Sequence, residues 1–130
     1  MSTRRVLVID DDEVVCKVVR CCFEDVAGWE VSTASSGQEG LESLLSEKPD
    51  AIVLDMMMPK MDGITFLRAL NESPTVYPIP IVLLTSRVDL TDPGTFPMMG
   101  VRGAIVKPFN PFVLVKQVAE FLDWNLEDNP

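Results

Sequence analysis

Residues 51–63 read A-I-V-L-D-M-M-M-P-K-M-D-G, an apolar run that stops abruptly at the carboxylate of Asp55. An uninterrupted apolar run of this length, followed by a proline, predicts a buried strand that ends at the acid. Pro59 and Gly63 are expected to form the turn that leads from this strand into a helix. The pattern therefore places Asp55 at the C-terminal end of a central strand.

Three other apolar runs also end in functional groups. Residues 6–9 precede Asp10-Asp11-Asp12, residues 81–84 precede Thr85-Ser86, and residues 104–106 precede Lys107-Pro108. If the four runs are neighbouring parallel strands, their C-terminal ends meet at one edge of the sheet. Open α/β sheets bind their ligands at that edge.

Helical periodicity separates these runs. Four amphipathic helices are predicted: Glu13 to Val26, one opened by the capping box Ser36–Glu39, one after Asp62-Gly63, and one from the Asn110-Pro111 cap to about Trp124. Their expected core-facing residues are Val15, Val18, Val19, Cys22 and Val26; Leu41, Leu44 and Leu45; Ile64, Phe66, Leu67 and Leu70; and Leu114, Val118, Phe121 and Leu122. Gly28 is the expected stop of the first helix, residues 29–34 alternate like a further strand, and Pro49 closes the helix that the capping box opens.

The alternation predicts a flavodoxin-like, doubly wound α/β fold. Its five parallel strands should follow the order 2-1-3-4-5, with right-handed crossovers and helices on both faces. Pro74, Pro78 and Pro80 predict a rigid loop before the fourth strand. Pro93, Gly94 and Pro97 interrupt residues 87–100, so the fourth helix is expected to be irregular or shortened, because an internal proline costs about 3 kcal/mol.

Composition narrows the class of protein. A chain of 130 residues with 47% apolar content fits one compact domain, residues 1–130. The net charge of −9 argues against nonspecific binding to nucleic acid or to an anionic membrane. Neither a signal peptide nor a transmembrane run is recognisable, which predicts a cytoplasmic protein. Three cysteines without metal spacing are expected to be reduced.

The predicted strand order brings Asp10-Asp11-Asp12 beside Asp55. Carboxylates that lie so close repel one another unless they gain a proton or a cation. Mg²⁺ prefers a few carboxylates together with water and phosphate oxygens, and Asp11 and Asp55 supply that number, with Asp10 placed to hold a coordinated water. An aspartate can also attack phosphorus, and Lys107 and Thr85 can stabilise the negative charge of the transition state.

The four motifs together resemble the receiver domain of bacterial two-component response regulators. They occur in the order of that family and span nearly the whole chain. The resemblance implies that Asp55 is the phosphoacceptor, that Asp10 and Asp11 are the acid pair for Mg²⁺, and that Met57 is a metal ligand through its backbone carbonyl. It further implies that Thr85 is the switch hydroxyl with Ser86 beside it, that Lys107 contacts the phosphoryl group, and that the Lys107-Pro108 bond is cis.

One position departs from the family pattern. Ala104 stands where the family often has an aromatic residue, so the aromatic rotamer switch is missing. If residues 87–100 take over the switching, they are expected to change between states, whereas a static, proline-rigid loop is the alternative.

The predicted function is that of a single-domain receiver without an output domain. It would accept a phosphoryl group from a sensor histidine kinase or a phosphotransfer protein and signal by binding a protein partner. It would not be an enzyme, although it would support its own phosphotransfer and autodephosphorylation. Two other classes of protein are less consistent with the sequence. A haloacid-dehalogenase-type hydrolase has a second acid two residues after the nucleophile, where this chain has Met57. A receiver-like scaffold that binds partners without phosphorylation would not need the acids, the threonine and the lysine.

Apolar residues left over on the last helix predict a partner surface, and a homodimer is one form it could take. Phe112, Val113 and Trp124 lie outside the predicted core stripe. The alternative for Trp124 is that its ring folds back onto the domain.

Overall fold

The structure, a computed structural model, describes residues 3–58, 61–72 and 78–126. Five parallel strands form one sheet in the order β2-β1-β3-β4-β5, as the sequence predicts. The strands are β1 Arg5–Ile9, β2 Glu30–Ala34, β3 Ala51–Asp55, β4 Ile81–Thr85 and β5 Gly103–Val106. The α-helices are α1 Glu13–Cys22, α2 Gly37–Glu47, α3 Gly63–Glu72 and α4 Pro111–Leu122.

Helices cover both faces of the sheet, and each face has its own apolar core. Alternate residues of each strand point to opposite faces, so that Val6 and Val8 pack under α1 and α4 whereas Leu7 and Ile9 pack under α2 and α3. We call these the α1/α4 core and the α2/α3 core. Both faces of the central strands β3 and β4 are buried, which explains their uninterrupted apolar sequences.

The first helix ends earlier than predicted. α1 stops at Cys22, and residues 23–27 form a turn of π-helix that Gly28 closes with a left-handed backbone, φ 70°. Because a π turn holds more residues than an α turn, it rotates the following side chains out of the helical register. Within this turn Phe23 and Ala27 are buried. The prediction that Val26 faces the core is wrong, since Val26 is 68% exposed.

Two other predicted core residues lie on outer faces. Leu45 is 63% exposed and Ile64 is 46% exposed. In α2 the inward stripe consists of Gly37, Gly40 and Leu44, because a glycine lets the helix approach the sheet closely. A Cβ on Gly40 would lie 2.4 Å from a methyl carbon of Ile9. A hydrophobicity pattern does not reveal such close contacts, so Leu45 was predicted to face the core instead of the two glycines.

The connection from β4 to β5 contains no α-helix, in agreement with the predicted irregularity. Two single turns of 3-10 helix replace it, Val88–Thr91 and Phe96–Met99. Leu90, Phe96 and Met99 nevertheless pack against the α2/α3 core. Of the three prolines predicted to stiffen the loop before β4, Pro78 and Pro80 precede the strand without regular structure, and Pro74 lies outside the described residues.

The last helix covers the edge of the α1/α4 core. Asn110 caps it by accepting a hydrogen bond from the backbone N–H of Phe112 at 2.9 Å. Trp124 folds back onto the domain and meets Trp29 edge to face, with ring centroids 5.0 Å apart, while the Arg4 guanidinium lies 4.8 Å from its centroid. Phe112 and Val113 remain 95% and 42% exposed.

Within the described residues, none of the helices is long and apolar enough to cross a membrane.

Candidate functional site

The C-terminal ends of β1, β3, β4 and β5 meet at one edge of the sheet. The pairing registers place Ile9 beside Leu54, Asp55 beside Leu84, and Thr85 beside Val106. Because all the strands run in the same direction, the residue that follows each apolar run emerges at the same rim. Asp10, Asp55, Thr85 and Lys107 are therefore neighbours, although they lie up to 97 positions apart in the chain.

Three carboxylates form a cluster at this rim. Asp10, Asp11 and Asp55 each offer an oxygen within 4.8 Å of the others. Asp10 and Asp55 are buried, at 1% and 3% exposure, whereas Asp11 is exposed. The third acid of the run, Asp12, instead caps α1 by accepting hydrogen bonds from the N–H groups of its first turn.

Lys107 provides the positive charge that the buried carboxylates need. Its Nζ lies 2.9 Å from Asp10 Oδ2 and 3.3 Å from Asp55 Oδ1. The lysine directly follows the end of β5, where its backbone N–H donates to the Thr85 carbonyl at 2.7 Å. The next peptide bond, Lys107-Pro108, is cis, which agrees with the expectation from the sequence resemblance.

The two buried aspartates are held by neighbouring backbone groups. Asp10 Oδ1 accepts the N–H of Asp12 at 2.9 Å, and Asp55 Oδ1 accepts the N–H of Met57 at 3.2 Å. These bonds fix one carboxylate oxygen of each residue. The Met57 side chain itself is 63% exposed, so it borders the rim without covering it.

Burial dominates the electrostatics of the cluster. It raises the pKa of Asp55 to about 6, and the charge of Asp10 acts in the same direction, while the Met57 N–H and Lys107 partly oppose the shift. Burial by itself would lower the pKa of Lys107, but the hydrogen bond and charge of Asp10, helped by Asp55, raise it overall. The lysine therefore stays charged, and an additional cation would favour the ionised form of Asp55.

The donor set fits a hard divalent cation. Mg²⁺ selects oxygen ligands and retains several waters, so two or three carboxylate oxygens suffice. Asp11 is the exposed member of the cluster, and Asp10 makes the shorter of the two contacts with Lys107. A cation here would also offset the cost of burying Asp55 beside a second acid.

Thr85 and Ser86 end the fourth strand with hydroxyl groups. Thr85 is fully buried, and its Oγ1 accepts the backbone N–H of Arg87 at 3.0 Å. Its hydroxyl proton is thus available to an acceptor in the site. Ser86 is exposed at the rim.

Of the residues predicted to shape the turn after β3, Gly63 lies within the described part of the chain and Pro59 lies outside it. The Gly63 N–H donates to the Met56 carbonyl at 3.0 Å. A Cβ on Gly63 would lie 2.6 Å from Met56 Sδ and 2.9 Å from Met56 Cα. This approach of α3 to the backbone after Asp55 leaves space only for glycine.

We expect Gly63→Ala to destabilise the fold by about 1–3 kcal/mol, because the obstructing backbone atom cannot move aside as a side chain can. Gly94→Ala is the control, since the nearest atom to its Cβ is an oxygen of the exposed Asp92 side chain, which can shift at the expense of its hydrogen bond with the Gly94 N–H. Neither glycine has a left-handed backbone. Urea unfolding would measure both variants, and equal losses of stability would contradict the explanation.

A residue that the sequence did not indicate as part of the site, Cys16, also contacts it. Cys16 is buried on α1, and its thiol donates to the Asp10 carbonyl at 3.3 Å. Burial, and then the charge of Asp10, raise the pKa of this thiol to about 11, so it stays neutral and anchors α1 to the end of β1. The only sequence signal was its position, six residues after Asp10.

Comparison with known proteins identifies relatives of the whole fold. Residues 6–119 match the family model of the response regulator receiver domain. The chain is 36% identical over 108 residues to the alkaline phosphatase synthesis transcriptional regulatory protein PhoP of Bacillus subtilis, an alignment covering 83% of this chain and 44% of that protein. It is 32% identical over 117 residues to the transcriptional regulatory protein CseB of Streptomyces coelicolor, covering 90% and 48%. The chain thus spans about half the length of the curated relatives it matches.

Solved structures of response regulators have the same fold as this chain. The chemotaxis response regulator CheY4 of Vibrio cholerae superposes with a TM-score of 0.81 at 32% identity, covering 92% of this chain and 99% of that one. A putative response regulator from Chloroflexus aurantiacus gives a TM-score of 0.81 at 30% identity, with coverages of 94% and 99%.

Proposed function

Because the chain belongs to the response regulator receiver domain family of two-component systems, we propose that it accepts a phosphoryl group on Asp55 and signals by binding other proteins. The observation that carries the proposal is the convergence of three carboxylates, a lysine and a buried threonine hydroxyl at one rim. Each of these groups has a role in phosphoryl transfer to a carboxylate.

Asp55 is the nucleophile in this proposal. One of its oxygens attacks the phosphorus of the donor and forms an acyl phosphate, while the bond from phosphorus to the leaving group breaks and the leaving group departs with that electron pair. Asp55 Oδ1 is held by Met57 N–H and Lys107. Among the contacts made by the described residues, none occupies the other oxygen, Oδ2, and we assign it as the attacking atom.

Asp11 and Asp55 would hold Mg²⁺, with the Met57 backbone carbonyl as a further ligand and Asp10 holding a coordinated water. The ion supplies positive charge beside the transferring phosphoryl group. Lys107 can exchange its contact with Asp55 for a phosphoryl oxygen, because its bond to Asp10 is the shorter one and keeps it in place. Thr85 can donate its hydroxyl proton to another phosphoryl oxygen.

The donor would be a sensor histidine kinase or a phosphotransfer protein, and the downstream partner a protein. The net charge of −9 disfavours direct binding of nucleic acid by this chain. The exposed Phe112 and Val113 at the start of α4 support a protein contact there, whether with a different protein or in a homodimer. Sedimentation with and without beryllofluoride distinguishes these two forms.

The direct test is phosphorylation by a small donor. The protein is incubated with acetyl phosphate in Mg²⁺ and, separately, in excess EDTA, and its intact mass is followed. We expect the phosphorylated mass to appear only with Mg²⁺. An unchanged mass with Mg²⁺ and no effect of beryllofluoride on the rim would refute the proposal.

We further expect the phosphoryl group to be long-lived and Met57→Asn to shorten its lifetime about tenfold. Hydrolysis needs a water aligned opposite Asp55, and the exposed thioether of Met57 cannot orient one. An amide can orient that water by a hydrogen bond, and a tenfold change corresponds to about 1.4 kcal/mol. Loss of the phosphorylated mass after removal of the donor gives the rate. Met57→Leu is the control and should remain slow, and equal rates for the Asn and Leu variants would disprove this explanation.

A further inference from the structure

Two aromatic side chains meet around the edge strand β5. Phe96, in the second 3-10 turn, packs with the α2/α3 core on one face of the sheet, and Phe121, on α4, packs with the α1/α4 core on the other. Their ring centroids are 5.9 Å apart and their planes are inclined by 74°. Because β5 is the last strand of the sheet, this edge-to-face pair joins the two cores directly.

Gly103 makes this contact possible. A Cβ at this position would lie 2.2, 2.3 and 2.5 Å from three atoms of the Phe121 ring. The ring therefore rests on the bare backbone of β5, at the start of the strand. Any side chain here would push Phe121 away from the edge and from Phe96.

The neighbouring position is small as well. Ala104 is 6% exposed and belongs to the α2/α3 core, the same core that Phe96 contacts. It has no side-chain torsion that could change with the state of the site. The aromatic groups at this edge of the sheet therefore come from the connecting segment and from α4.

A short path leads from the phosphorylation rim to this pair. Thr85 Oγ1 accepts the N–H of Arg87 at 3.0 Å, and the Arg87 carbonyl in turn accepts the N–H of Leu90 at 3.2 Å. The first 3-10 turn is thus tied to the threonine hydroxyl, and Phe96 follows in the second turn. If the Thr85 hydroxyl moved toward a phosphoryl oxygen, it would release the Arg87 N–H. The position of residues 87–100 on the α2/α3 core would then change.

We propose that the Phe96–Phe121 pair over Gly103 transmits the state of Asp55 from residues 87–100 to α4, in place of an aromatic residue on β5. This inference rests on the proposed function, because it needs a phosphoryl group or its mimic at the rim. When the segment shifts, Phe96 moves relative to the Phe121 ring, and α4 loses or gains one of its contacts at the sheet edge. The signal crosses from one face of the sheet to the other around its edge.

Hydrogen exchange tests the path in three regions of one molecule. Amide protection is compared with and without beryllofluoride near Asp55, across residues 87–100, and across residues 111–122. In the wild type we expect all three regions to change. In Phe96→Ala we expect the first two changes to persist and the change in α4 to be lost.

The control is Lys116→Ala, which shortens an exposed side chain on the same helix and touches neither ring of the pair. It should leave all three changes in place. Gly103→Ala, which displaces Phe121 but keeps both rings, should also lose the α4 change. If Phe96→Ala does not fold, Phe96→Leu retains apolar volume without the ring and serves instead.

The outcomes separate the two proposals. A wild type that changes near Asp55 but not in α4, or a Phe96 variant whose α4 responds as in the wild type, overturns the aromatic path and leaves the phosphoacceptor intact. A wild type that shows no change near Asp55 with beryllofluoride overturns the proposed function, and the path with it.

Discussion

Asp55→Asn is expected to abolish phosphorylation, with no phosphorylated mass appearing at any concentration of acetyl phosphate or Mg²⁺. An amide is neither a nucleophile toward phosphorus nor a good ligand for Mg²⁺. The variant should remain folded, because Asn has the same shape and Lys107 keeps its shorter contact with Asp10. Intact mass and urea unfolding measure the two properties separately.

Asp12→Asn is the matched control for this variant. Asp12 belongs to the same acidic run, but its side chain caps α1 and lies outside the carboxylate cluster. Asparagine is as good a helix cap as aspartate, so this variant should be phosphorylated like the wild type. Equal labelling of the Asp55 variant and the wild type would exclude Asp55 as the phosphoacceptor.

Lys107→Ala is expected to have the second largest effect, in two respects. It leaves Asp10 and Asp55 buried without a cation, which should reduce the stability of the metal-free protein by about 1–3 kcal/mol, since the lysine is itself 24% exposed. It should also weaken the response of the phosphorylated state, because the lysine pairs with phosphoryl oxygens.

Mg²⁺ should still bind to the Lys107 variant, because the carboxylates that would hold it are unchanged. It should therefore raise the variant's stability by at least as much as that of the wild type. Urea unfolding with and without Mg²⁺ checks this, with Lys116→Ala, an exposed lysine on α4, as the control. A variant that no longer gains stability from Mg²⁺ would contradict the assigned roles.

The sequence predicted the features that depend on strand ends. A buried parallel strand needs an apolar run, and its first polar residue marks the rim, so Asp10, Asp55, Thr85 and Lys107 could be located from the pattern alone. Proline and glycine likewise predicted the irregular connection before β5. What could not be predicted were the contacts across the rim, such as Lys107 with both aspartates, since they depend on side-chain conformation.

Helix faces were harder to predict for a different reason. The π turn at Phe23–Ala27 changes the rotation of the chain without a distinctive residue, and the close approach of Gly40 to Ile9 depends on the partner strand. Val26, Leu45 and Ile64 were accordingly assigned to the core although they are exposed. The Phe96–Phe121 contact could not be predicted either, because it joins two segments that are separate in the sequence and meet only in the folded chain.

The contact of Trp124 with Trp29 determines which structural changes the protein's fluorescence can report. The two indoles touch at the end of the sheet where β1 and β2 begin, next to Arg4, whereas Asp55 lies at the other end. Their rings are in edge-to-face contact with centroids 5.0 Å apart, so a change in this contact alters the surroundings of both. Their emission is therefore a probe of whether the C-terminal helix stays attached to the domain, and phosphoryl chemistry at Asp55 will alter it only if that helix moves.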